Sequence, residues 1–369
     1  MYKTIEELVT RIDERNSDGT VSELIGVSID KCFIKSVANT NGTDLSKYKI
    51  IRKNDFAVSL MQVSRDGKIP VARLEEYEEA IMSPAYPIFR VKDKNVILPE
   101  YLEMWFKRPE FDREAAFIAV GGVRGSMPWE EFAKMKLPVP PIEKQRKIVN
   151  AYKIVTDRIA LKQKINDNLL ATTQAIYKSW FVDFEPFDNV CPSDWGNGCV
   201  DDIAEFYDSM RKPLSSLERA DMERIYPYYG AVSIVDYVDD FIFDGEYLLL
   251  SEDGIYVVDE NGHPLLQHIT GKFWANNHAH ILKGKSGFNE DSLYLFLANT
   301  NMAPIVTGAA QPKINQANLK SFSITIPTSE VIENFNALIQ PFFDQRLSNE
   351  AEVKKLESLK DLLLSRLVN

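Results

Sequence analysis

The chain has 369 residues, 45% of them hydrophobic and 26% charged, enough for two or three domains that each bury a core. No apolar run approaches the ~18 residues of a membrane span, and the charged start MYKTIEELVTRIDERN lacks the apolar centre of a secretory signal, so a cytoplasmic protein with no membrane partner is expected. The net charge of −11 argues against a free-standing nucleic-acid binder, because phosphate contacts reward Lys and Arg.

Residues 1–140 read as a mixed α/β module. GVSIDKCFI, KIIRKNDFAVSL and PAYPIFRV are β-rich, with turns at Asn54-Asp55 and Asp66-Gly67. PEYLEMWFKRPEF is an amphipathic helix that groups Leu102, Trp105 and Phe106 and is stopped by Pro109. After Gly121-Gly122 comes the short strand KLPVP. Over 141–180 the period changes. Ile148, Tyr152, Val155, Ile159, Leu169 and Ile176 follow a four-three spacing, the mark of a helix laid along another helix, with Lys162 and Asn166 interrupting the seam. Pro141 and Glu143 suit its N-terminus.

Residues 181–194 form a linker broken by Pro186 and Pro192. A second module spans 195–327. Its strands are YGAVSIVDYV, FIFDGEYLLLS, GIYVV and HAHILK, with turns at Asp244-Gly245, Asp253-Gly254 and Asn261-Gly262, and DSLYLFLANT is its helix. The last helix, 328–369, carries Phe335, Ile339, Phe342, Val353, Leu356, Leu363 and Leu367 on its seam, with Thr328 or Ser329 as cap. Cys32, Cys191 and Cys199 make an odd count without metal-ligand spacing, which fits a reduced compartment.

The two halves repeat one frame. GGVRGSMPWEEFAKMKLPVPPIEKQRKIV lies over GAAQPKINQANLKSFSITIPTSEVIENFN, pairing Gly121 with Gly308, Leu137 with Ile324 and Pro140 with Pro327 at a constant separation of 187 residues. The same separation pairs Leu169 with Leu356 and Trp180 with Leu367. Upstream, KNDFAVS lies over DGEYLLL and SPAYPIFRVK over NNHAHILKGK. Between the shared pieces the loops differ, as a pair of recognition domains requires: rigid strands hold position while loops carry specificity.

Catalytic signatures are missing. The chain has no phosphate-binding Gly-x-x-x-x-Gly-Lys-Ser/Thr loop, no dinucleotide glycine loop and no Asn/Asp-Pro-Pro-aromatic pocket. His278 and His280 alternate on an expected strand and would share a face able to bind metal, but the reading preferred is polar strand residues that face a groove or are satisfied by neighbours. Asp344 with Glu352 and Lys354 imitates a nuclease carboxylate pattern, but on a helix rather than a sheet edge.

PPIEKQRKIV and IYKSWFVDFEP, together with EFYDSMRKPLSSLER, YPYYGA, DGEYLLLSEDG, GAAQPKINQANL, VANTNGTDLSKYKIIRKNDFA and ILPEYLEMWFKRPEFDREA, resemble the specificity subunits of type I restriction-modification systems (HsdS) over essentially the whole chain. The resemblance implies an α+β architecture: two target-recognition domains, each followed by a long helix, with the helices packed as an antiparallel coiled coil of pseudo-twofold symmetry. It implies a subunit without catalysis of its own that reads double-stranded DNA and docks two methyltransferase subunits, with two further motor-nuclease subunits in the restriction complex. S-adenosylmethionine is then expected on the methyltransferases, with no cofactor or metal in this chain.

An acidic reader fits this scheme if partners clamp the phosphates while it reads base edges. About 38 helical residues at ~1.5 Å each give a rod of roughly 57 Å, a ruler for a bipartite target with unlike halves. Side-chain chemistry selects Arg65, Lys68, Arg124 and Ser126 in the first module and Asn276, Asn277, His278, Gln311 and Lys313 in the second as candidate DNA contacts. Trp180 and Phe181 are candidate packing anchors, in the linker corner or against a methyltransferase. The rival reading is a scaffold that binds no DNA, two modules on a coiled-coil spacer. The divergence of loops on matched frames favours two different targets.

Overall fold

Each half of the chain begins by locking its first strand onto the strand that precedes its long helix. In the computed structural model, which describes residues 1–36, 43–61, 63–120, 125–254, 257–308 and 310–368, Tyr2–Thr4 pairs antiparallel with Lys136–Pro138 and Gly196–Cys199 with Ser323–Ile326. A four-residue helix follows in both halves, Ile5–Leu8 and Val200–Ile203. The third helical residue closes each one, as Glu7 accepts from the Thr4 N–H at 2.7 Å and Asp202 from the Cys199 N–H at 2.7 Å, satisfying donors the first turn leaves free. The repeat therefore extends upstream into a short segment with one shared pattern, a buried apolar residue, two acidic residues and a second buried apolar residue, in IEEL and VDDI.

The chain divides into two compact units, residues 1–161 with 352–369 and residues 162–351. In the first unit a four-stranded antiparallel sheet runs Val9–Ile12, Ile88–Val91, Phe56–Val58, Val71–Arg73 in spatial order. Its core gathers Phe56, Phe89, Phe106, Phe111 and Phe132 and is closed by Leu364 and Leu367 from the end of the chain. Leu102, Trp105 and Phe106 are all buried on the helix Pro99–Phe106, as its periodicity predicts. Pro109 stops that helix and also opens the next, Pro109–Ile118, because its missing N–H is a donor no first turn can use.

In the second unit the sheet has six strands, in the spatial order Ala204–Phe206, Ala279–Gly284, Phe243–Ser251, Leu266–Ala275, Tyr226–Tyr229, Ile234–Val238. YGAVSIVDYV is a hairpin rather than one strand, since Gly230 donates to the Ser233 carbonyl at 2.9 Å and turns the chain. The expected turn at Asp244-Gly245 is instead mid-strand. Gly245 lies opposite Gly271, both at positive φ (128° and 88°), so the glycines relax a long ladder without ending it. Gly254 and Gly262 do turn, at φ 116° and 84°; the strand expected over GIYVV falls partly on Ile255 and Tyr256, outside the described residues.

The long helices are Ile142–Phe181 and Ser329–Ser365. Asp344, Glu352 and Lys354 lie on the second of these. Its buried seam holds Phe335, Ile339, Phe343 and Leu364, and buried Leu367 follows in the 3-10 turn Arg366–Val368. Phe343 and Leu364 stand in place of the expected Phe342 and Leu363, because the helical period carries the buried face one residue on. The polar positions of the seam are bonded. Within the second unit Lys162 Nζ donates to Asn349 Oδ1 at 2.8 Å and Asn349 Nδ2 to Asn166 Oδ1 at 2.7 Å. Lys162 and Asn349 stand 187 residues apart, the separation of the sequence repeat.

Candidate nucleic-acid interface

In both units one backbone hydrogen bond seats a loop that follows the sheet's inner strand against the loop that precedes the short helix before the long one. The first unit makes it from Met127 N to Leu60 O at 2.8 Å, the second from Ile314 N to Glu252 O at 2.9 Å. Strand register supports the equivalence. Phe56 lies opposite Phe89 and Leu248 opposite Leu282, so Leu60 corresponds to Glu252 and Pro87 to His280. The sequence alignment of KNDFAVS with DGEYLLL is out by one residue, a slip that exchanges the two faces of a strand.

In the first unit the upper loop carries the one-turn helix Val63–Asp66. Gly125 packs on it at φ +73°, and a Cβ there would stand 2.5 Å from Ser64 Oγ and 3.3 Å from Arg65 N. Glycine is needed both for the left-handed backbone and for the close approach. Arg65 is exposed and its Nε meets Asp66 Oδ1 at 2.9 Å, Lys68 is exposed and Ser126 is half-buried. Arg65 and Ser126 thus belong to two adjoining loops, with Lys68 a few residues along the first. Arg124 lies outside the described residues.

In the second unit Asp253, Gly254, His278, Gln311, Pro312 and Lys313 line a cavity of about 570 Å³. The His278 ring binds Asp253 through Nδ1 at 2.8 Å and is half exposed. Lys313 pairs with Glu252 at 2.8 Å. Gln311 and Asn277 are exposed, whereas Asn276 is buried. The Asn276 side chain accepts from the His278 N–H at 2.9 Å and so shapes the turn that presents the histidine. Of the five candidates here, His278, Gln311 and Lys313 converge on one cavity, Asn277 stands at the adjacent tip and Asn276 supports from below.

Beneath these loops lies a polar cluster of which sequence reading named His280 but not its partners. His280 is fully buried; its Nδ1 meets Asp208 at 2.6 Å and its Nε2 the Ile314 carbonyl at 2.8 Å. His278 and His280 thus serve different carboxylates instead of sharing a ligand. Arg211 reaches Glu252 and the Ala279 carbonyl, each at 2.6 Å. Burial pushes the Asp208 carboxyl up, and the bonds from His280 and the Ile281 N–H, with Arg211 nearby, outweigh it and hold the group below the usual carboxylate range. Glu252 is likewise held low, burial being overcome by Lys313 and Arg211. The sequence offered His280, Lys313 and the Asp253-Gly254 turn separately, but bonds between residues 72 apart leave no local pattern that joins them.

A second acid–imidazole group is less complete. Glu246 Oε1 binds His268 Nε2 at 2.6 Å, while buried Asp291 Oδ1 has no hydrogen-bond partner and stands 3.6 Å from His268 Nδ1. Burial pushes the Asp291 carboxyl up to about 7. Trp180 and Phe181 pack inside the second unit, Phe181 against Phe296 and Phe335 with ring centroids 4.7 Å apart in each case, and Trp180 against Phe335 at 5.7 Å.

The model of the family described as "Type I restriction modification DNA specificity domain" matches residues 24–171 and again 192–360, one match for each module with most of its helix. A putative type I restriction enzyme specificity subunit of Haemophilus influenzae is 36% identical over 143 residues, spanning 38% of this chain and 36% of that protein. The MjaIX specificity subunit of Methanocaldococcus jannaschii is 24% identical over 300 residues, 74% of this chain and 69% of that one. The S subunit of a type I restriction-modification system from M. genitalium has the same fold, with a TM-score of 0.57 over 100% of this chain and 96% of that chain at 14% identity. No helix among the described residues is long and apolar enough to cross a membrane. With the family model matched twice along its length, the chain belongs to the type I restriction-modification DNA specificity family.

Proposed function

We propose that this chain is the sequence-reading subunit of a type I restriction-modification complex. It reads a bipartite, asymmetric site on double-stranded DNA, docks two methyltransferase subunits and, in the restriction complex, two motor-nuclease subunits, and performs no catalysis itself. The observation that carries this reading is the pair of seated loops, joined by the same backbone bond in both units but furnished differently. One set offers Arg65, Lys68 and Ser126, the other Asn277, His278, Gln311 and Lys313. One frame presenting two unlike sets of donors and acceptors suits two unlike half-sites.

The net charge of −11 assigns most phosphate neutralisation to the partners, which also bring S-adenosylmethionine. The long helices pack as an antiparallel coiled coil in this scheme and set the spacing of the half-sites. The 40 residues of Ile142–Phe181 correspond to roughly 60 Å at ~1.5 Å per residue. Methylation-aware sequencing of DNA from cells with and without the gene tests the proposal. Loss of a single bipartite methyladenine motif on deletion is expected, and an unchanged methylome in cells that express the whole complex overturns it.

A further inference from the structure

Beneath the seated loops the two modules differ in a way the fold itself does not require. Where the first unit has Leu60, which packs on its hydrophobic core, the second has Glu252; where the first has Pro87, the second has His280. Glu252 and His280 are buried. With Asp208, Arg211 and Lys313 they form one connected set of ionisable groups. Taking charges out of water is costly, and a well-packed apolar cluster of similar size serves stability as well or better. The first module shows that Leu and Pro suffice at these places for the same backbone junction.

Most of the bonds the network makes outside itself go to the backbone that carries the loops. His280 holds the Ile314 carbonyl. Arg211 holds the Ala279 carbonyl at 2.6 Å and reaches Asn277 O at 3.5 Å, to either side of His278. Asp208 accepts from the Ile281 N–H at 2.8 Å and from the Gln316 side chain at 2.7 Å. Glu252 joins the two loops through Lys313 at 2.8 Å, beside the Gly254 N–H donating to Pro312 O at 3.2 Å. Three chain segments that are distant in sequence, 252–254, 277–281 and 311–316, are thereby fixed to one another directly under His278, Asp253 and Gln311.

We propose that Asp208, Arg211, Glu252 and His280 are positioning residues for the second half-site, holding the loops in the geometry that matches base edges. Lys313 acts as the clamp between the loops rather than as a free phosphate contact, and the Asp253–His278 pair with Gln311 faces the DNA. This rests on the reading of the chain as a DNA-recognition subunit. Base readout depends on donors held to within a fraction of an ångström, and a charge network locked on both sides supplies that rigidity more stringently than apolar packing.

The test uses the full chain assembled with its methyltransferase subunits, on DNA bearing the motif found by methylome sequencing. Affinity is measured for the intact site, for sites with substitutions in one half and for sites with substitutions in the other. Glu252→Gln and His280→Gln are expected to lower discrimination at the half-site read by the second module at least tenfold, with discrimination at the other half-site within twofold of the unmodified complex. Lys313→Met, which leaves the Arg211–Glu252 pair in place, is expected to act in the same direction and to leave the salt dependence of binding unchanged. It also serves if either buried variant does not fold. Unchanged discrimination in folded variants overturns the network, as does an equal loss at both half-sites, which would mark a merely structural role. A wild-type complex with no bipartite motif removes the recognition reading and this inference together, whereas a wild-type motif with indifferent variants removes this inference alone.

Discussion

Replacing Asp291 with Asn should make the second unit more stable, and increasingly so as pH rises. Asp291 sits in the first turn of Glu290–Ala298, 3% exposed, with one carboxylate oxygen unpartnered and a carboxyl pushed up to about 7, chiefly by burial. A carboxyl raised in the folded state contributes stability that is complete below its unfolded value, about 3.9. That contribution is lost as pH climbs through the folded value, because the unfolded chain releases its proton first. At about 1.4 kcal/mol per pH unit, the native state loses on the order of 4 kcal/mol between pH 4 and pH 8 through this one group. Losing the favourable placement of an anion at a helix N-terminus offsets only about 0.5 kcal/mol.

Asn does not titrate, so the stability difference between variant and wild type removes the titration of every residue remote from this site and reports Asp291 together with its neighbours His268 and Glu246. Between pH 5 and pH 8 the difference should widen by roughly 3 kcal/mol, or about 6–12 °C in the melting temperature of a unit of this size. Calorimetry across that range measures it, and hydrogen exchange of the Glu290–Ala298 amides assigns the effect to this helix. Parallel melting curves for the two proteins at all pH values would refute the reasoning.

Three further outcomes are expected. Gly125→Ala forces a β-carbon into a left-handed site beside Ser64, costing about 1–2 kcal/mol, and in the assembled complex it should weaken discrimination at the half-site read by the first module while sparing the other. Asn349 is buried and its side chain bonds Lys162, Gln345 and Asn166. Asn349→Ala should cost about 1–3 kcal/mol by leaving buried polar atoms unpaired, read as a lower denaturant midpoint. Inserting one heptad near Leu161 and a matching one near Ala351 should lengthen the unread gap in the methylated motif and leave both half-sites intact. A changed half-site in the methylome would sink the ruler.

Much of this protein was written locally. Spacing of apolar residues marked the buried face of Pro99–Phe106 and the extent of both long helices, and the repeat at 187 residues marked where equivalent pieces lie. Helical periodicity survives in a single sequence because neighbours three and four residues apart share a face whatever lies beyond them. The candidate site was half legible: Arg65, Ser126, His278, Gln311 and Lys313 were found as polar residues in glycine-bearing loops.

What tertiary structure decided is partnership and register. Asp244-Gly245 looks like a turn, yet it is held mid-strand by Gly271 across the ladder. His278 and His280 look like a pair, yet one meets Asp253 and the other Asp208. Lys313 looks like a free cation, yet it clamps Glu252. In each case the deciding atom belongs to a residue far away in the chain, and a hydrogen bond closed across such a distance depends on where the sheet carries both ends, which no local pattern of residue types encodes.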